Sequence, residues 1–187
     1  AMLLLFPASL TALAALGYAE NAMDGFFYTA DEEKLTVRLL VYSGNTYKRY
    51  AASLLADQLE AVGVAVALEQ VEDFEVFREK VLSGDFDLYI GEVKLYNNMD
   101  MSPFMEGGGA SAGIVQSEAL TAAYTAFRGN MSAAGAFEEA FAAEMPFVPL
   151  LWRNGTVVHT RSIEGLTSSL SNVFYSLGQL RFAPADS

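Results

Sequence analysis

The feature that most constrains the fold of this 187-residue chain is a regular alternation of strand and helix patterns between Lys34 and Val93. The segment KLTVRLLVYS is dense in β-branched residues and leucine, which is typical of a central strand. Two more strand patterns, VAVALEQV and DFDLYIGEV, follow, each preceded by an amphipathic stretch of helical length. This order predicts an α/β fold: a βαβαβ unit with a mixed, mostly parallel sheet flanked by helices.

Capping residues bound the two helices of this unit. Asn45 or Thr46 is placed to cap the first helix, and Gly63 is placed to end it. Gly84 is the corresponding stop signal of the second helix. A helix is therefore expected between each pair of consecutive strands.

The first 33 residues form a lead-in to this unit. The opening apolar run has no basic residue before it and is interrupted by Pro7, so a short helix ending at Gly17 is predicted rather than a secretion signal or a membrane span. Asp24 and Gly25 then predict a tight turn within a connector.

Two further helices are predicted in the second half of the chain. Ser117 and Ser132 are placed to cap them. The sequence PFVPLLWRNGTVVHTR then predicts two extended segments joined by a turn at Asn154 and Gly155. The last 22 residues show little periodicity.

Composition excludes several function classes. The net charge of −12 argues against a nucleic-acid partner, because the phosphate backbone would be repelled. The chain has no cysteine, which removes disulfides, thiolate metal sites and cysteine nucleophiles. His159 is the single histidine, so a three-histidine zinc site is impossible, and a structural or exposed position is predicted for it. No cofactor, metal site or catalytic residue is predicted.

The third strand ends in the most distinctive segment. Phe86, Leu88 and Ile90 alternate, which predicts that they face the core. In parallel α/β sheets, ligands bind at the carboxyl ends of strands. The polar and aromatic residues that follow are therefore candidate ligand contacts: Glu92, Lys94, Tyr96 and Asn97.

Other candidates carry both a functional and a structural interpretation. Trp152 is a candidate ligand contact, although packing is the commoner fate of a single tryptophan. The segment SGNT (residues 43–46) offers backbone N–H groups to a ligand carboxylate, but helix capping alone explains it. Asp85 and Asp87 share one face of a strand without the ligand density that calcium requires.

The order of these segments resembles one protein family. A strand ending in YSGN, a helix with LLADQLEAVGV and the segment FEVFREKVLSGDFDLYIGE are similar to the second lobe of the oligopeptide/dipeptide class of solute-binding proteins of ABC importers. ALAALGY before them, and MPFVPLLW and SNVFYSLG after them, extend the likeness over most of the chain. The resemblance implies a periplasmic-binding-protein lobe of type II that closes on a peptide with a second lobe and delivers it to a permease.

The resemblance also implies the surroundings of this chain. It is expected to be one lobe of a longer protein, whose first lobe, secretion signal and lipid-anchoring cysteine would precede it. The expected organisation is a lead-in at residues 1–33, a ligand-binding lobe at 34–165 and a tail at 166–187 that returns to the first lobe. The expected partners are a peptide or other small solute, the permease subunits and the first lobe.

The resemblance does not identify the ligand. Relatives hold the ammonium group of a peptide with an aspartate that follows a tryptophan, but Val93 and Tyr96 stand near those positions here. Glu92 is the best local carboxylate, Lys94 favours a ligand carboxylate instead, and Asp100 is expected to be a helix cap. Relatives also carry nickel chelates, sugars, opines and heme. Two alternatives stay open: a ligand-sensing domain of a regulator, and a hydrolase in which Glu92 and Asp100 act as a carboxylate pair.

Overall fold

The structure is a computed structural model that describes residues 6–94, 100–105, 107–114, 116–151, 157–168, 172 and 174–182. By its internal contacts the chain forms two compact units, Ala1–Gly91 and Glu92–Ser187. The first unit contains the predicted alternation of strands and helices, and the second contains the two predicted helices of the C-terminal half.

The first unit is built on a parallel three-stranded sheet. Its strands are β3 (Thr36–Tyr42), β4 (Ala65–Val71) and β5 (Leu88–Tyr89), in the order β4-β3-β5. Helix α2 (Thr46–Glu60) connects β3 to β4, and helix α3 (Phe74–Ser83) connects β4 to β5. The predicted βαβαβ unit and the central position of its first strand are confirmed.

The two helices cover opposite faces of this sheet. Leu39 and Val41 of β3 are fully buried against Ala52 of α2. Tyr42 of β3 instead meets Phe77 of α3, with their ring centroids 6.1 Å apart. Because successive strand side chains point to opposite faces, α2 and α3 lie on the two sides of β3.

Strand β5 is shorter and less buried than its sequence predicts. Only Leu88 and Tyr89 pair with β3, and β5 has no partner on its other side among the described residues. Ile90 is buried as expected, but the side chain of Leu88 is 43% exposed. Leu88 pairs with the buried Leu39 and so points to the α2 side of the sheet, but its predicted burial is wrong, because α2 packs over β3 and β4 and leaves the edge strand partly open to solvent.

A small hairpin precedes the sheet. Helix α1 (Phe6–Ala15) is confirmed, and strands β1 (Ala19–Glu20) and β2 (Phe27–Tyr28) pair antiparallel around the predicted turn. Gly63, which follows α2, has φ +84°, and a Cβ there would lie 2.5 Å from the carbonyl oxygen of Gly25. The N–H of Phe27 donates to Gly63 O at 2.8 Å. The turn after α2 therefore closes directly on the hairpin.

The second unit is organised by helices α4 (Glu118–Gly129) and α5 (Ala134–Glu144). Leu120 and Tyr124 of α4 are buried against Phe137 of α5. Phe137 and Phe141 lie on one face of α5, as their spacing predicts, with ring centroids 6.1 Å apart. Ser117 caps α4 as predicted, because its side chain accepts a hydrogen bond from the N–H of Leu120.

The predicted cap of α5 is wrong. A 3₁₀ helix, Met131–Ala133, precedes α5, and the side chain of Asn130 accepts a hydrogen bond from the N–H of Ser132 at 3.0 Å. Ser132 is therefore the donor in this cap rather than the acceptor. Asn130 can take this position because its extended backbone follows directly on the end of α4.

The C-terminal region differs most from its prediction. Residues 157–160 form no strand, and the predicted turn at Asn154 and Gly155 lies outside the described residues. Instead, two short strands pair antiparallel: β6 (Ile163–Glu164) and β7 (Arg181–Phe182). The buried hydroxyl of Ser176 exchanges hydrogen bonds with the backbone of Thr167, which joins the two ends of this region.

Candidate functional site

The three parallel strands of the first unit end at one edge of the sheet. We call residues 42–45, 71–74 and 89–91, which lie at or just beyond the ends of β3, β4 and β5, the carboxyl rim. Parallel α/β sheets bind ligands at this edge, where the strands lead into loops and helix N-termini. Three residues separate the end of β3 from α2, and two residues separate the end of β4 from α3. After β5, residues 90–94 form neither helix nor strand.

Aromatic side chains line the rim on the side of α3. The rings of Tyr42 and Phe74 meet edge to face, with centroids 5.4 Å apart and planes at 78°. Phe77 lies 6.1 Å from Tyr42 and 6.3 Å from Phe74, and Tyr89 lies 6.5 Å from Phe77. Phe77 is buried, whereas Phe74 keeps 50% of its surface exposed. The outer part of this cluster is thus an aromatic surface open to solvent.

Glycines at the rim leave room for these rings. A Cβ at Gly44 would overlap the hydroxyl oxygen of Tyr42, so the tyrosine ring occupies the space that a larger residue would need. A Cβ at Gly91 would lie 3.2 Å from the ring of Tyr89. Burial raises the pKa of Tyr89, so its phenol remains protonated near neutral pH.

The N-termini of α2 and α3 are both capped by their own residues. The side chain of Asn45 accepts hydrogen bonds from the N–H groups of Tyr47 and Lys48, at 3.0 and 3.2 Å. Asp73 likewise accepts from the first turn of α3, at 2.8 Å and 3.1 Å. The capping interpretation of SGNT is confirmed for Asn45, and such a cap typically contributes about 1 kcal/mol.

One hydroxyl at the rim has no hydrogen-bond partner among the described residues. It is the buried Oγ of Ser43. Its backbone N–H donates to Val71 O at 2.9 Å, which ties the end of β3 to the end of β4. A buried hydroxyl without a partner is unusual, because its desolvation is not offset by a hydrogen bond.

The predicted ligand contacts fall partly within the described residues. Glu92 and Lys94 follow the rim in sequence, begin the second unit and have exposed side chains. Tyr96, Asn97 and Trp152 lie outside the described residues. Their predicted roles stay predictions.

Asp100 is engaged within the second unit. It accepts hydrogen bonds from the N–H and the hydroxyl of Ser102, both at 3.0 Å, at the start of the 3₁₀ helix Ser102–Phe104. It also accepts one from Tyr124 Oη at 2.7 Å. Tyr124 is the main cause that lowers the pKa of Asp100, while burial and then Asp100 raise the pKa of Tyr124 to about 12. The predicted N-cap role of Asp100 is wrong in position, because Met101 is the N-cap residue of this 3₁₀ helix, although the Asp100 carboxylate does accept a hydrogen bond from the first N–H of the helix.

The opposite end of the sheet carries an ion-pair network. Arg38 pairs with Asp85 at 2.9 Å and with Asp87 at 3.4 Å, and Lys80 pairs with Asp85 at 2.9 Å. The pKa of Asp85 is lowered by Lys80 and then Arg38, and that of Asp87 by the backbone N–H and the side chain of Arg38. Both aspartates precede β5 rather than lying in it, so the predicted shared strand face is wrong, and protein cations meet their charges.

Other site classes receive no support within the described part of the chain. Its side chains include no group of three or more His, Cys, Asp or Glu placed to hold a metal ion. Over the same residues, no helix combines the length and the apolar character needed to span a bilayer. His159 is exposed, as predicted, and its Nδ1 lies 3.0 Å from Thr160 O.

The aromatic part of the rim was not predicted from the sequence. Tyr42 is the last residue of a strand and Phe74 is the first residue of a helix, so both positions lie at the edge where ligands bind. The adjacent Gly44 was a further signal, because a glycine beside an aromatic residue at a strand end often makes space for close packing.

The N-terminal and central parts of the chain match a known protein family. Residues 8–114 match the family model described as bacterial extracellular solute-binding proteins, family 5 Middle. This match covers the whole βαβαβ unit and continues into the second unit. None of the curated proteins compared matches the chain.

Solved structures support the same fold. The oligopeptide-binding protein AppA from Bacillus subtilis, in complex with a nonapeptide, matches 92% of this chain at 15% identity and a TM-score of 0.58. A nickel ABC transporter protein from Bacillus halodurans matches 75% at 14% identity and 0.55, and NikA from Brucella suis, with Fe(III)-EDTA, matches 72% at 14% and 0.57. The chain spans only 36%, 30% and 28% of those three proteins, about a third of their length.

Proposed function

Because this chain belongs to the family 5 bacterial extracellular solute-binding proteins, a family of binding proteins rather than enzymes, we propose that it is the substrate-binding lobe of an ABC importer. It captures a peptide or a similar small solute by closing with a second lobe and delivers it to the permease. The observation that carries this proposal is the family match over the unit whose strands end at the carboxyl rim.

Peptides are the proposed solute class. AppA was solved with a nonapeptide, and the lactococcal OppA, which matches 71% of this chain at a TM-score of 0.54, was solved with an endogenous peptide. The nickel ABC transporter protein and the NikA complex with Fe(III)-EDTA make a metal chelate the second candidate. The half-exposed aromatic surface at the rim favours a peptide, because apolar side chains of a peptide are stabilised when they leave water and pack against it.

Within this function, the residues after β5 are proposed to contact the charged groups of the solute. Glu92 would pair with a peptide ammonium group and Lys94 with a carboxylate. Tyr96, Asn97 and Trp152 are proposed as further contacts. The exposed side chains of Glu92 and Lys94 support this assignment, since a solute can reach them.

Closure explains why both lobes are needed. Contacts that form only in the closed state shift the equilibrium between the open and closed states toward closure. One lobe supplies about half of those contacts, so the 187-residue chain alone is expected to bind peptides far more weakly than the two-lobed protein. We place the first lobe, together with a secretion signal and a lipid-anchoring cysteine, in a part of the protein outside this sequence, and the protein itself outside the cytoplasm.

The direct test is to purify the two-lobed protein from its native host and identify the bound solute by mass spectrometry under non-denaturing conditions. A peptide that co-purifies, and that the protein rebinds after unfolding and refolding, is the expected result. A metal chelate in its place would establish the second candidate. A signalling or DNA-binding module encoded with this lobe, in place of a first lobe, would contradict transport and favour a sensor domain.

Charge-neutralising variants test the proposed contacts. We expect Glu92→Gln and Lys94→Met each to weaken peptide binding by the two-lobed protein about tenfold, because each removes a charge-assisted hydrogen bond. Glu138→Gln, which neutralises an exposed carboxylate on α5, is the matched control and should leave affinity unchanged. Unchanged affinity in both test variants would remove Glu92 and Lys94 from the site. Peptide hydrolysis by the wild-type protein that disappears in Glu92→Gln would instead favour an enzyme.

A further inference from the structure

The rim contains an aromatic pair that is partly exposed to solvent. Tyr42 and Phe74 meet edge to face at 5.4 Å, and Phe77 supports both from the buried side. Phe74 is the first residue of α3, yet half of its surface remains in water. A packing role alone would be better served by a buried ring, so this exposed half is available to a solute.

One polar group beside the pair makes no hydrogen bond within the described part of the chain. It is the hydroxyl of Tyr42, which lies beside Gly44. The rim therefore combines an exposed ring with unused hydrogen-bonding capacity, a combination that suits a ligand group with both an apolar body and a polar tip.

From this arrangement we infer that Tyr42 and Phe74 form a subsite for an aromatic side chain of the bound peptide, with tyrosine preferred to phenylalanine. The ring of the ligand packs against Phe74, adding a third member to the edge-to-face pair. Its hydroxyl exchanges a hydrogen bond with Tyr42 Oη, which the smaller phenylalanine cannot do. The inference rests on the proposed peptide-binding function and adds a side-chain preference to it.

The test measures peptide affinity of the two-lobed protein by titration calorimetry. An all-alanine pentapeptide is the reference, and five further peptides each carry one tyrosine at a successive position. We expect at least one tyrosine peptide to bind about fivefold more tightly than the reference, and its phenylalanine counterpart to gain less.

Two variants test whether the tighter binding of tyrosine peptides depends on Tyr42 and Phe74. Phe74→Ala is expected to abolish the tyrosine gain, whereas Leu82→Ala, which truncates an exposed apolar residue at the other end of α3, should preserve it. Tyr42→Phe keeps the ring in place and should equalise tyrosine and phenylalanine peptides. Far-UV circular dichroism establishes that each variant retains its fold.

The outcomes separate this inference from the proposed function. If every peptide binds and tyrosine gives no gain, or if the gain survives Phe74→Ala in a folded protein, the aromatic subsite is wrong and peptide binding stands. If no pentapeptide binds the wild-type protein, the aromatic subsite and the proposed peptide solute are both overturned.

Discussion

Tyr124 Oη donates a hydrogen bond of 2.7 Å to the carboxylate of Asp100, 24 residues earlier in the chain. The bond connects the middle of α4 to the 3₁₀ helix that Asp100 precedes, and Tyr124 itself is buried. Both members of the pair thus hold a loop segment onto the helical core of the second unit.

Removing this bond should destabilise the second unit. Tyr124→Phe keeps the ring and leaves the Asp100 carboxylate without one donor, so we expect the free energy of unfolding to fall by about 1–2 kcal/mol. Urea unfolding followed by circular dichroism measures the change. Tyr175→Phe, at an exposed ring, is the matched control and should change stability little. Equal stabilities of the Tyr124→Phe variant and the wild-type protein would contradict the role given to this bond.

The same pair predicts a dependence on alkaline pH. Burial and Asp100 raise the pKa of Tyr124 to about 12, above the value of about 10 in an unfolded chain. Its contribution to stability is therefore complete below about pH 10 and is lost as the pH rises toward 12. The stability difference between the wild-type protein and Tyr124→Phe should shrink between about pH 9 and pH 11 (about one unit either side of the unfolded pKa). A difference that stays constant over this range would show that Tyr124 ionises as it does in the unfolded chain.

Gly63 is predicted to resist substitution. Its positive φ of 84° is strained for any residue with a side chain, and a Cβ would lie 2.5 Å from Gly25 O. We expect Gly63→Ala to lower the free energy of unfolding by about 2 kcal/mol or more. Gly135→Ala in α5 is the control, because a Cβ there meets no atom within 4 Å and should stabilise the helix by about 0.5–1 kcal/mol. Similar effects of the two substitutions would contradict the close approach at Gly63.

Alanine substitutions at Ser176 and Ser43 should affect the free energy of unfolding in different ways. Ser176→Ala removes hydrogen bonds to both the N–H and the carbonyl of Thr167, so we expect a loss of about 1–2 kcal/mol in the free energy of unfolding. Ser43→Ala removes a buried hydroxyl that has no partner, and should leave stability unchanged or raise it slightly. Thermal unfolding of both variants beside the wild-type protein makes the comparison. Destabilisation by Ser43→Ala comparable to that of Ser176→Ala would mean that Ser43 is hydrogen-bonded in solution.

Acid should weaken the attachment of β5. The carboxylate of Asp87 accepts a hydrogen bond from the backbone N–H of Arg38 at 2.8 Å, and its pKa is lowered below the usual value by that bond and by the Arg38 side chain. A lowered pKa gives stability that is present above about pH 4 and is lost as the pH falls through the pKa of the folded state. The stability difference between the wild-type protein and Asp87→Asn should thus decline from pH 5 to pH 2 (a range on either side of the usual carboxyl pKa).

Asp57→Asn serves as the control for this prediction. It removes one exposed carboxylate from α2 and leaves Arg38 untouched. Its stability relative to the wild-type protein should change less over the same acid range. An acid dependence as large as that of Asp87→Asn would attribute the effect to net charge rather than to the attachment of β5.

The parts of the fold that could be predicted are those with strong local signals. The run of β-branched residues predicted that β3 is a central strand. Asn45 and Ser117 predicted the starts of α2 and α4, and Gly84 predicted the end of α3. These features depend on residues near in sequence. The parallel order β4-β3-β5 then follows from the general rules for strand–helix–strand connections.

The errors arise where distant contacts decide the outcome. The alternation at Leu88 is identical for an edge strand and a central strand, so its exposure depends on which neighbour covers it. Ser132 has the sequence signature of a cap, but Asn130 is held nearer by the end of α4. The pairing of β6 with β7 joins segments 17 residues apart that carry no alternating pattern.

The candidate site was predictable in position but incomplete in content. The carboxyl ends of the strands were expected to bind the solute, and the predicted contacts were the polar residues after β5. The aromatic pair of Tyr42 and Phe74 comes from two different connections, so only the parallel register of β3 and β4 brings it together. A single stretch of sequence contains no signal for that encounter.

The unequal connections after the three strands have an evolutionary consequence. β3 and β4 run into capped helices within three residues, so an insertion there would displace a cap and the start of a helix. Ile90 still donates its N–H to Leu40 O, but residues 91–94 belong to no helix or strand, and a change of length there would leave that hydrogen bond and the strand pairing intact. Homologues should therefore acquire insertions and deletions after Ile90 first, and new ligand specificities can arise there without any redesign of the scaffold.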